Sequence, residues 1–130
     1  MSRLFNILKA IIDRVGVDYI VDQGTTGNWT WRKWNSGLYE AERAHNVGQY
    51  SINTTIVTGI MCGSEVDFAT PPHTLVSGRT QVSYISNSSN SGVWLEPTTS
   101  SKWRLCKATT SNVTLQGVTV AYRVVDGKWK

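Results

Sequence analysis

Residues 28–37 read NWTWRKWNSG, three of the chain's six tryptophans in six positions with Arg32 and Lys33 between them. Successive side chains of a strand point to opposite faces, so Trp29, Trp31 and Lys33 share one side and Thr30, Arg32 and Trp34 the other. Neither side reads as plain solvent surface. The strand is either covered on both sides, by its own sheet and a neighbouring subunit, or it offers aromatic surface to a ligand. Indole rings stack on sugar faces and anchor interfaces, and Arg32 could sit over an indole as a cation–π pair. The segment NSG that follows is turn chemistry.

Working outward, strand-like runs bounded by turn clusters continue on both sides. Before it stand Asp18–Asp22 and the turn QGTTGN; after it come Leu38–Glu42 and an alternating run, Gln49–Ile60. Pro71 and Pro72 make residues 63–77 a loop with at most a short strand. Thr80–Ile85, Gly92–Glu96, Lys102–Lys107 and Val113–Val125 add further strands, and in the last of these Val118, Val120, Tyr122 and Val124 share a face. The tract SNSSNSG, residues 86–92, reads as a loop tip. Seven to nine short strands without a second helix predict an all-β domain, a β-sandwich or jelly roll, over residues 17–130.

Residues 1–16 differ. In SRLFNILKAIIDRV, Ser2 is a potential N-cap and Gly16 a stop, and Leu4, Leu8, Ile11 and Val15 are spaced by four, three and four. That spacing is a helical a/d seam. A helix of about fourteen residues is marginal alone in water, so the seam must be buried against the β domain or against copies of itself. Self-association is the expectation here, because the helix is terminal and set off by a glycine.

The chain has 130 residues, 40% hydrophobic and 17% charged, with a net charge of +4, which suits one globular domain. The basic residues are scattered rather than blocked, so phosphate tracking along a nucleic acid is not expected. Asn6, Lys9, Asp13 and Arg14 interrupt the apolar start, so it reads as neither signal peptide nor membrane span. Cys62 and Cys106 are 44 positions apart with no CxxC pattern. They are read as a buried, reduced pair, with no metal site and no cofactor expected.

Glu40 and Glu42 lie on one strand face about 7 Å apart along the backbone, a separation at which an acid and base pair of a small glycan-degrading domain is conceivable. Any strand with glutamates two apart has this geometry, and the expectation is a protein that is not an enzyme. For ligand contact the candidates are Trp94 and Trp103, which flank a polar loop region, with Trp31 and Arg32; core or edge packing is the alternative for each tryptophan.

The stretch DYIVDQGTTGNWTWRKWNSGLYEAE, residues 18–42, resembles a segment of tail-fibre and baseplate-associated proteins from phages and prophages of Gram-positive bacteria. Asp18, Tyr19, Ile20, Val21, Gly24, Trp29, Arg32, Lys33, Trp34, Gly37 and Glu40 match that family's pattern. Asp22 stands for its Glu and Trp31 for its Tyr, and Ala41 and Glu42 replace its Cys-Trp. The ending VTVAYRVVDGKWK is similar to the family's ending, whereas residues 43–112 match only loosely. The resemblance implies a homotrimeric virion component assembled in the host cytoplasm, with a helix leading into a β head. Its partners would be other virion proteins and a bacterial surface glycan, with no nucleic acid and no membrane insertion. A decorating or capping role without sugar binding fits the same residues.

Overall fold

Most of the chain extends because β-branched and aromatic residues alternate with polar ones between turn residues. In the computed structural model, which describes residues 3, 4, 6–8, 17–87 and 92–130, the chain forms β1 (Ile20–Thr26), β2 (Trp29–Trp34), β3 (Leu38–Val57), β4 (Ile60–Gly63), β5 (Val66–Asp67), β6 (Ser77–Ile85), β7 (Val93–Thr99), β8 (Lys102–Lys107) and β9 (Val113–Lys128). The all-β expectation holds. Hydrogen-bonded neighbours follow the order β1-β2-β3-β4-β8-β5; β7 also pairs with β8, and β9 with β3 and β6.

Strands β2 and β8 fall where alternation places them. Elsewhere the strands are longer than expected. The residues QGTT belong to β1, because Gly27 and Asn28, with φ of 56° and 70°, close a two-residue hairpin that sets Thr26 opposite Trp29; positive φ at both central positions is what the twist of a type I′ hairpin requires. The run Gln49–Ile60 is not one strand but a hairpin, with Val57 opposite Ile60 across Thr58 and Gly59. Strand β7 passes through Pro97, where the register shifts before Thr99.

The chain divides into two compact units, and β3, β6 and β9 contribute residues to both. The first comprises the chain through Glu42, Pro71–Arg79 and Val124–Lys130. Trp29, Trp31, Tyr39, Ala41 and Val124 are its buried apolar residues. Its β2–β3 turn is closed by Asp18, whose carboxylate accepts from the Ser36 hydroxyl at 2.6 Å and the Ser36 amide at 2.9 Å. Those hydrogen bonds, the hydroxyl's first, hold the Asp18 carboxyl below its usual range.

The second unit comprises Arg43–Thr70 and Thr80–Arg123. Its core holds Tyr50, Ile52, Met61, Trp103, Leu105, Leu115, Val118, Val120 and Tyr122. The Trp103 indole donates to the Tyr122 hydroxyl at 3.1 Å, and the Tyr50 ring stacks on Trp103 with centroids 6.2 Å apart. The Tyr50 hydroxyl accepts from the Leu105 amide and donates to the Ser64 carbonyl, so a buried phenol is satisfied on both sides.

The long strands change frame. In β3 the buried positions are odd at Tyr39 and Ala41 and even at Tyr50 and Ile52, with Gly48 at φ 77° between them. In β9 they are odd at Leu115, even from Val118 to Val124 and odd again at Gly127, with Gly117 and Asp126 at positive φ at the two changes. One residue in the left-handed region shifts the two-residue period by one, as a bulge does, and so re-aims every side chain beyond it.

Among the described N-terminal residues, 3, 4 and 6–8 take helical backbone. Leu4 and Leu8 of the expected seam are 75% and 53% exposed; Ile11 and Val15 lie outside the described residues, as do residues 88–91 of the loop tip. Among the described residues no helix is long and apolar enough to cross a membrane.

Candidate functional site

In the first unit the two faces of β2 have separate fates. Trp29 and Trp31 are buried, at 2% and 8% exposure, so the proposed ligand role of Trp31 does not survive. Its indole N–H donates to the Thr26 hydroxyl at 3.1 Å, and the His73 ring packs on it edge to face with centroids 4.4 Å apart. His73 Nδ1 also lies 2.9 Å from the Tyr39 hydroxyl. Burial lowers the His73 pKa from its ordinary value, with the nearby Lys33 charge adding to the effect and Asp22 opposing it; burial likewise raises that of Tyr39. The cation over the Trp31 ring is Lys33, at 5.6 Å from the centroid, and not Arg32.

Arg32 faces outward. The β2–β3 register sets it opposite Glu40, its Nε is 3.8 Å from that carboxylate, and the half-buried Trp34 donates its indole N–H to the same oxygen. The result is an outward trio of indole, carboxylate and guanidinium. Glu40 is thereby engaged with Trp34 and Arg32, while Glu42 is exposed two residues further on.

The second unit carries the same trio. Glu96 on β7 lies opposite Arg104 on β8; the Arg104 Nε donates to Glu96 Oε1 at 2.6 Å, and Trp94, two residues from Glu96, donates its indole N–H to Oε2 at 3.5 Å. Trp94 is half-buried, a partly exposed position as expected. Trp103 is not: at 0% exposure it is the centre of the core. Both tryptophans lie in short strands beside polar turns, but Trp103 is on the opposite face of β8 from Arg104 and is enclosed by Tyr50 and Tyr122.

Sequence reasoning passed over Trp34, Glu96 and Arg104. A signal existed for the first trio, since closing a hairpin on Asn35–Gly37 puts Arg32 beside Glu40. For the second, only the Trp94–Glu96 spacing was visible.

The two cysteines correct the expectation of a reduced pair. They lie directly opposite each other on β4 and β8 and form a disulfide. Pairing of distant strands brings the two sulfurs together where a separation of 44 positions could not foretell it. Cys62, Cys106 and Glu96 also form a group whose potential ligand atoms lie within 4.8 Å of one another.

Comparison with protein-family models, with curated proteins and with solved structures finds no match for this chain.

Proposed function

We propose that this protein is a non-enzymatic phage virion component, a homotrimer whose N-terminal helices pack together and whose β-rich part, of the sandwich or jelly-roll type, attaches the particle to carbohydrate on a bacterial surface. The observation that carries the reading is the recurrence of the outward trio, Trp34 with Glu40 and Arg32, and Trp94 with Glu96 and Arg104. A carboxylate that takes the indole N–H fixes the ring, leaving part of its face to stack on a sugar, while the neighbouring charged groups serve the hydroxyls. The apolar seam residues Leu4 and Leu8, exposed in a single chain, support helix association, and several weak sites per particle gain avidity from being tethered together.

The test is binding of the intact protein to Gram-positive cells and to purified wall polysaccharide. Trp34→Ala and Trp94→Ala should each weaken binding about tenfold, equivalent to ~1.4 kcal/mol, at unchanged fold. Light scattering should give three chains for the intact protein and one for a chain truncated to begin at Asp18. Absence of polysaccharide binding by a verified trimer would leave the decorating or capping role. That second reading draws on one specific observation: the two stretches resembling phage proteins pack on each other, with Trp129 docked on the carbonyls of Trp34 and Gly37.

A further inference from the structure

The Cys62–Cys106 pair has a neighbour that a purely structural disulfide does not need. Glu96 Oε1 lies 3.4 Å from Cys106 Sγ. A disulfide sulfur has no proton to give, so this approach of a carboxylate is unrewarded in the oxidised protein. In the dithiol it becomes a thiol–carboxylate hydrogen bond, and for two ligands of one cation it is also the right spacing. With metal–sulfur and metal–oxygen bonds of about 2.3 and 2.0 Å, a tetrahedral site puts sulfur and oxygen about 3.5 Å apart.

We propose that the reduced protein binds a soft divalent cation of the zinc class between the Cys62 and Cys106 thiolates and the Glu96 carboxylate, and that metal and disulfide exclude each other. Three strands supply the ligands, β4, β8 and β7, and their registers bring the donors together: Cys62 opposite Cys106, Trp94 opposite Cys106, and Glu96 opposite Arg104. The outer partners are in place too. Arg104 and Trp94 donate to the two oxygens of Glu96, the kind of support that orients a ligating carboxylate. Two thiolates and a carboxylate facing a dication and the Arg104 guanidinium leave the group without net charge, which suits cysteines as buried as these, at 1% and 0% exposure. Glu96 is only partly covered, so a cation and a fourth ligand from solvent reach the site from its side.

The chemistry balances with a tertiary phosphine as reductant. The phosphine and one water convert the disulfide to two thiols and become phosphine oxide; the cation then displaces the two thiol protons to solvent. Because thiolate is the ligand, affinity rises with pH as those protons are lost.

The experiment uses the full chain, reduced with phosphine, desalted without oxygen and titrated with cobalt(II). One equivalent should bind, with the thiolate charge-transfer and visible bands of tetrahedral cobalt, and zinc(II) should bleach them. The oxidised protein should show no bands. Glu96→Gln should weaken binding roughly tenfold or more, within the range seen when metal-site partners are altered, whereas Glu42→Gln, which changes an exposed carboxylate remote in sequence, should leave it unchanged. Absence of cobalt bands in reduced protein that keeps its strand circular dichroism overturns the proposal, as does Glu96→Gln binding with wild-type affinity. If reduction unfolds the chain, recovery of the strand spectrum on adding zinc supports the site and failure to recover overturns it.

Discussion

Trp129 donates its indole N–H to the carbonyl of Trp34 at 2.9 Å, across 95 positions of chain. The Trp129 amide donates to the Gly37 carbonyl at 2.9 Å, and the ammonium groups of Lys33 and Lys130 lie 5.4 and 5.0 Å from the Trp129 ring centroid. Trp129 and Lys130 thus close over the β2–β3 turn. Trp129→Phe should cost about 1 kcal/mol, the usual net worth of a hydrogen bond. Gly37→Ala should cost more, roughly 1–3 kcal/mol, since φ is 98° and a Cβ there would lie 2.9 Å from the Lys130 carbonyl oxygen. Urea denaturation of each variant checks both values.

Trp94 and Trp103 should separate stability from binding. Trp103→Ala should cost about 3–5 kcal/mol, because it empties the core and removes the indole N–H that the Tyr122 hydroxyl accepts. Trp94→Ala removes a half-buried ring and should cost about 1 kcal/mol by lost burial, while polysaccharide binding falls. Denaturation midpoints set beside binding titrations test the asymmetry.

His73 should make stability fall on mild acidification. Its folded pKa lies below the unfolded value, so the unfolded chain takes up the proton first as pH drops through about 6.5. Stability from the neutral ring is therefore complete above that value and declines below it, down to the folded pKa. With its proton on Nε2, His73 accepts the Tyr39 phenol hydrogen at Nδ1; the imidazolium cannot. Comparing urea midpoints at pH about 7.5 and about 5.5, His73→Gln should lose part of the difference seen in the wild type.

Reduction of Cys62–Cys106 without added metal should destabilise the protein. A cross-link spanning 44 positions is worth roughly 4 kcal/mol by the loop-entropy estimate. Guanidinium denaturation with and without phosphine, under chelation, measures it. A double Cys→Ala variant should match the reduced protein to within the small packing change.

Much of the strand pattern was legible in the amino-acid order. Trp29–Trp34, Lys102–Lys107 and the shared face of Val118, Val120, Tyr122 and Val124 follow from alternation alone, and Asn35–Gly37 announces its turn. The middle of β3 was not legible. Residues 42–49, ERAHNVGQ, carry no apolar alternation, and they extend because neighbouring strands satisfy the backbone and not because a face is buried.

The candidate sites divide along the same line. A period of two determines which side chains share a face, and so the sequence by itself determined an all-β chain, the company of Arg32 with Trp34, and that of Trp94 with Glu96. It carries no statement of which face is covered, because cover comes from strands distant along the chain. Only the tertiary structure decided that Trp31 and Trp103 are core while Trp34 and Trp94 stay partly open, that Arg104 meets Glu96, and that two cysteines 44 positions apart stand opposite each other. The physical reason is that burial and ligand geometry are set by long-range register, and single residues at positive φ, such as Gly48 and Gly117, can reverse a strand's facing without altering its local pattern.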